Sequence, residues 1–203
     1  MDWRERYERA AARYAAGETR EPDERQLVQL ANSAWAAGLS LLMAGDREEA
    51  AEWLRRSAAR YRESWDEGAG ADSWGRPIAA LKALLLAGDD ASETAEWTLG
   101  TCLGVRHLDT SVSPIGRYAG TLALLVLGRD EQAAEVAATL GEGFPSDVAR
   151  ALAALAAHDA DAYREAVDSV RRSFDEREAF LEDVPVPDTA LALDALAAQL
   201  GFA

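Results

Sequence analysis

One local pattern recurs four times along this chain: an apolar helical run breaks at a short polar turn, and a second amphipathic segment follows. The turns are Leu41-Leu42-Met43-Ala44-Gly45-Asp46, Leu84-Leu85-Leu86-Ala87-Gly88-Asp89, Leu125-Val126-Leu127-Gly128-Arg129-Asp130 and the degenerate Leu155-Ala156-Ala157-His158-Asp159. Their punctuating residues, Gly45, Gly88, Gly128 and His158, lie 43, 40 and 30 residues apart. A near-period of this size marks a helical repeat array, in which each hairpin buries its apolar side against the next. The expected fold is all-α: stacked helical hairpins in a tetratricopeptide-like α-solenoid of about ten helices, a single helical-repeat domain over residues 1–203.

The apolar spacing places the helices. Trp3, Tyr7, Ala10, Ala11 and Tyr14 share one face of a first helix over 3–15, with Gly17 as its stop. Leu27, Leu30, Ala31, Ala34, Trp35, Gly38, Leu41 and Leu42 form a core-facing stripe on a long second helix. Asp46 is expected to cap a third, whose apolar side carries Trp53, Leu54, Tyr61 and Trp65. The stretch 67–72 reads as a flexible linker, after which Ser73 caps a hairpin of 78–87 and 91–103 that Gly104 ends. Ser113 and Pro114 look like the cap and first turn of the next helix. Tyr163, Ala166, Val167, Val170, Phe174 and Leu181 mark the buried side of the most regular segment, which starts at Asp159. An acidic, Pro-containing turn over 182–188 stops it, and a final helix over 189–200 closes the array.

The charge balance narrows the partners. Aspartate and glutamate number 36 against 21 lysines and arginines, a net charge of −15, and Lys82 is the only lysine. Such a surface repels itself in dilute buffer, whereas near 1 M salt the screening length falls to about 3 Å. The reading is a protein of a salt-rich, halophilic cytoplasm; the rival reading is an acidic face built for a basic partner. Phosphate contacts need clustered cations, so nucleic acid is not an expected ligand. The greasiest runs, 78–87 and 119–127, fall short of the roughly 20 residues a membrane span needs, and 1–6 lacks a signal-peptide core.

Catalytic chemistry is not apparent. Cys102 is the single cysteine and shares an apolar face with Ala95 and Leu99, where a small buried hydrophobe is the ordinary explanation over a nucleophile served by His107 and Asp109. His107 and His158 fall in separate repeats, too few and too far apart for a metal site, and His158 takes the helix-ending place that glycine holds elsewhere. No catalytic, metal or cofactor residues are assigned. Of the six tryptophans, Trp3, Trp35, Trp53 and Trp65 lie on core stripes, whereas Trp74 stands beside Gly75-Arg76-Pro77 in a loop. Tryptophan with arginine at a surface is the composition of an interaction hot spot. The partner-binding candidates are therefore Trp74, Arg76, Arg106, His107 and Asp109, on two loops at the rim of a helical surface.

The last third carries a further signal: Ala162-Tyr163-Arg164-Glu165-Ala166-Val167, then Arg171-Arg172-Ser173-Phe174-Asp175-Glu176-Arg177-Glu178-Ala179-Phe180-Leu181, then Val184-Pro185-Val186-Pro187-Asp188-Thr189-Ala190-Leu191-Ala192-Leu193. This stretch resembles the C-terminal region of the immunity protein 49 family, in which a long helix, an acidic Pro-containing turn and a closing helix end the chain. The resemblance implies a tetratricopeptide-like bundle that binds a polymorphic toxin stoichiometrically and neutralises it by occlusion. It transfers no catalytic residue. The reading of a different class is a general tetratricopeptide-like scaffold or regulator that binds a peptide or small ligand in its groove.

Overall fold

The computed structural model describes residues 2–70, 72–104, 113–141 and 143–202. Those residues form ten α-helices and no strand: α1 Trp3–Gly17, α2 Glu24–Ala44, α3 Arg47–Asp66, α4 Gly75–Ala87, α5 Ser92–Trp97, α6 Pro114–Val126, α7 Asp130–Ala137, α8 Ser146–Ala156, α9 Ala160–Asp175 and α10 Asp188–Gln199. A π-helical turn, Thr98–Leu103, continues α5, and a 3-10 turn, Leu181–Asp183, precedes α10.

The recurrent turn is one hydrogen-bonded device, used at the four places the sequence marks and again after α10 at Gly201 and Phe202. After α2 the Gly45 N–H donates to Leu42 O at 3.1 Å and Asp46 N–H to Leu41 O at 3.0 Å, with Gly45 at φ 90°. The same pair of bonds closes α4 at Gly88 and Asp89, α6 at Gly128 and Arg129, and α8 at His158 and Asp159. Each satisfies carbonyls that the helix end leaves over and needs one residue in the left-handed region. His158 supplies it at φ 53° without being glycine, so its role as a helix terminator is as the sequence indicates.

The helix starts are less uniform. Asp23 and Gln26 form a reciprocal box at α2, Oδ1 of Asp23 accepting from Gln26 N–H at 2.8 Å and Oε1 of Gln26 from Asp23 N–H at 3.0 Å. Ser113 caps α6 and Asp159 caps α9 as expected. Asp46 does not cap α3; its carboxylate is drawn to Arg4. Nor does Ser73 cap α4, which begins one residue later with Trp74 in the capping position.

The chain divides into two compact units, residues 1–89 with 178–188, and residues 90–177 with 189–203. In the first unit α1 packs on α2, α2 on α3 and α3 on α4. Leu27, Leu30, Leu39, Leu41, Leu54 and Leu81 are essentially inaccessible between them. Gly38 allows α2 and α3 to close, because a Cβ there would meet Leu54 Cγ at 2.7 Å. Although α2 has the length and apolarity of a membrane span, 67% of its most apolar window is buried in this packing. Of the four tryptophans expected in the core, Trp35 and Trp53 are buried and Trp3 and Trp65 half-buried.

In the second unit α5 and its π-helical extension pack on α6, α6 on α7 and α8, and α8 on α9. Cys102 is buried with Ala95 and Leu99, the apolar face read from the sequence. The α9 stripe of Tyr163, Ala166, Val167, Val170 and Phe174 is buried, but the helix ends at Asp175, six residues short of Leu181. Leu181 belongs instead to the strap 178–188 of the first unit and is 54% exposed. Tyr163 and Arg171 hold α10 to α9 through the Asp194 carboxylate, the Tyr163 hydroxyl donating at 2.8 Å.

Candidate functional site

A cavity of about 430 Å³ opens in the first unit, lined by residues of α2, α3, the α4 entry and the strap. That volume falls within the range of small-molecule sites, which are mostly apolar with a few fixed polar groups. Val28, Trp35, Ile78, Ala79 and Leu181 supply apolar wall; Asn32, Tyr61, Ser73, Arg76, Lys82 and Asp188 supply polar groups.

The polar set is ordered by its own contacts. Lys82, only 8% exposed within the apolar run of α4, pairs with the Asp188 carboxylate at 2.5 Å and lies 5.6 Å from the centre of the Trp35 ring. A buried ammonium is tolerable only with such partners, and the aromatic face adds a cation–π attraction. The chain's single lysine is thus one wall of its cavity. The Tyr61 hydroxyl donates to Asn32 Oδ1 at 2.5 Å, and burial pushes the phenol's pKa well up, so it stays protonated. Arg76 reaches Glu24 of α2 with one terminal nitrogen, while its other, Nη1, is buried without a hydrogen-bond partner. Burial pulls the Arg76 guanidinium below its ordinary value, though the group remains a cation at neutral pH.

The strap that brings Asp188 and Leu181 to this cavity is fixed from α1. Arg6 donates to the Asp183 carbonyl and Arg13 pairs with the Glu182 carboxylate at 2.9 Å. Glu182 and Asp183 both have positive φ, 54° and 57°, a backbone that two consecutive side-chain-bearing residues adopt only when their surroundings hold them there.

The sequence-derived candidates separate on inspection. Arg76 lines the cavity. Trp74 is not a surface hot spot: it is 2% exposed and its ring lies 6.0 Å from that of Trp65, because the α4 entry turns it inward onto the end of α3. Arg106, His107 and Asp109 lie outside the described residues. The sequence puts Lys82 within the apolar run 78–87, Tyr61 on a core stripe and Asp188 in an acidic turn, and marks none of them, nor Asn32, as a site. A lone lysine interrupting an apolar stripe was the available signal.

Comparison with protein-family models, with curated proteins and with solved structures finds no match for this chain.

Proposed function

We propose that this chain is a protein-binding helical protein of the immunity type, built from tetratricopeptide-like hairpins and acting without catalysis to cover a cognate toxin. The distribution of charge carries this reading. Arg4, Arg13, Arg55, Arg60, Arg129, Arg164 and Arg171 are each engaged by a carboxylate of the same chain. Pairing sets at least one acid against each of these arginines, so the excess of 36 aspartates and glutamates over 21 lysines and arginines is left over, and among the described acids only Asp147 is buried. Such a surface steers a basic partner and repels acidic ones. The resemblance over 162–193 favours a toxin as that partner, and the recurrence of one helix-closing turn at the spaced positions Gly45, Gly88, Gly128 and His158 supports the repeat reading. The test is affinity capture from the native host in high salt, followed by expression of the recovered protein with and without this chain. Growth arrest relieved by co-expression supports the proposal; a recovered partner that is harmless on its own defeats it.

The same charge leads to the proposal that the protein works in a salt-rich cytoplasm. Its melting temperature should rise as KCl is taken from dilute buffer to molar concentrations, since screening relieves self-repulsion. A flat or falling series in scanning calorimetry would remove that reading.

A second reading, a scaffold or regulator that takes a ligand, is favoured by one observation: the cavity against Trp35, Tyr61 and Lys82 in the first unit.

A further inference from the structure

We propose that a second cavity of the first unit binds an uncharged polyhydroxylated molecule, a monosaccharide or a cyclic polyol, two sources of the same hydroxyl chemistry. This cavity, of about 420 Å³, lies between α1, α2 and the strap and shares no residue with the one against Trp35. The inference is independent of both readings of function above.

One buried hydroxyl points to a ligand. Those of Ser40, Ser57, Ser64, Thr98 and Thr121 each donate to a backbone carbonyl, the ordinary fate of a hydroxyl among packed helices. Ser33 of α2, only 7% exposed, has no hydrogen-bond partner among the described residues, and it lines the cavity. Its oxygen is not sealed as Arg76 Nη1 is, so it opens on that space. A hydroxyl so placed keeps its donor and its lone pairs for a molecule in the cavity.

The rest of the lining is uncharged or charge-balanced. Oε1 of Gln26 accepts from Asp23 N–H at 3.0 Å, which leaves its amide nitrogen as a donor, while the Gln29 side-chain amide and the Thr19 hydroxyl are uncommitted among the described residues. Arg13 and Glu182 stand together at 2.9 Å as one closed pair. An anion would meet Glu182 and a cation Arg13, and either would bring a charge that nothing balances. An apolar molecule would strip water from Ser33, Gln26 and Gln29 without replacing its hydrogen bonds. A hydroxyl is neutral and both donates and accepts through one atom. A ring bearing several can therefore serve Ser33 and the two glutamines at short spacing, with adjacent hydroxyls set against the Arg13 donors and the Glu182 acceptors. Leu30 and Ala16 add a small apolar wall for ring carbons, and the volume admits one or two such rings.

Saturation-transfer NMR on the full chain with myo-inositol and with glucose tests the proposal, and the tighter of the two names the source. That one should bind with a dissociation constant of about 10 mM or below. Cyclohexanol, the inositol ring with one hydroxyl, and glucuronate, the sugar with a carboxylate, should each bind at least about tenfold more weakly than their parent. Ala16→Trp, a change at an exposed position that fills the cavity, should abolish binding. Ser33→Ala should weaken it about fivefold, the loss of one hydrogen bond, and should leave the melting temperature no lower, because no bond within the protein is lost. Cyclohexanol binding as tightly as inositol, or glucuronate as tightly as glucose, would overturn the polyol. A lower melting temperature in Ser33→Ala would make that hydroxyl a structural group and overturn the site. No binding of inositol or glucose at about 50 mM, or binding unchanged in Ala16→Trp or in Ser33→Ala, would do the same.

Discussion

The two units fill the space between their helices with different side chains. The first holds five of the six tryptophans and helices of 13 to 21 residues, packed around Trp35, Trp53, Tyr14 and Tyr61. The second, with helices of 6 to 16 residues, buries phenol and phenyl rings instead, those of Tyr118, Phe144, Tyr163 and Phe174, and fully encloses Leu122, Leu125, Leu152 and Leu155. Indoles are the larger rigid fillers, and in the first unit one of them, Trp35, lines the cavity beside Lys82 and Arg76.

The sharpest way to break this comparison is to remove what both units take from the C-terminal segment. Deleting 188–203 strips Asp188 from Lys82 in the first unit, and Ala190, Leu193, Leu196 and Ala197 from the core of the second. Loss of the carboxylate that pairs with Lys82 and loss of a capping helix act together, so the truncated chain should aggregate on expression, as read by size-exclusion chromatography. A monomeric product with an unchanged melting temperature would mean that neither unit depends on that segment.

Matched cavities in the two cores come next. Leu54→Ala and Leu152→Ala each empty a fully buried site, at a cost of about 2–5 kcal/mol. Tryptophan fluorescence reports mainly on the first unit, so Leu54→Ala should lower the fluorescence-detected urea midpoint more than the one detected by circular dichroism. Leu152→Ala should do the reverse. Coincident shifts in both signals would show that the units unfold as one.

A smaller effect belongs to the α2–α3 seam. Gly38→Ala places a methyl against the enclosed Leu54 and should cost about 1–3 kcal/mol, from overpacking. A stabilised variant, as alanine's helix propensity alone would give, would show that the seam can relax.

The smallest contrast compares the same acid after the same turn. The Asp159 carboxylate accepts from Ala162 N–H at 3.0 Å, whereas Asp46 makes no such bond and meets Arg4 instead. Asp159→Ala should cost about 1 kcal/mol and Asp46→Ala no more than about 0.5 kcal/mol. Denaturant midpoints separated by that margin would confirm that the two positions share a motif and not a function.

That contrast also shows what a sequence like this discloses. Those four turns were legible as helix ends, including His158 in glycine's place, because helix termination is decided within about six consecutive residues. All-helical character was legible for the same reason: apolar spacing and alanine content are local quantities. The fate of each turn's acid was not, since Asp46 answers to Arg4, Asp89 to Arg55 and Asp130 to His158, partners 28 to 42 residues distant in the chain. Trp74 carried the composition of a surface anchor, yet nothing nearby records that Trp65 waits to receive it. Leu181 kept the period of α9 after the helix itself had ended, which is why the stripe misplaced it. The cavity was least visible of all, because Lys82 and Asp188 are 106 residues apart and meet only in the folded chain.

The same separation acts during synthesis. A ribosome adding about 5–20 residues per second makes the lysine roughly 5–20 s before its acid. For that interval the nascent first unit holds its four long helices but not the strap, and the cavity wall with Leu181 has yet to be translated. The first unit reaches its final form only after nearly all of the second has been made. The second unit, which needs 189–203, is completed later still.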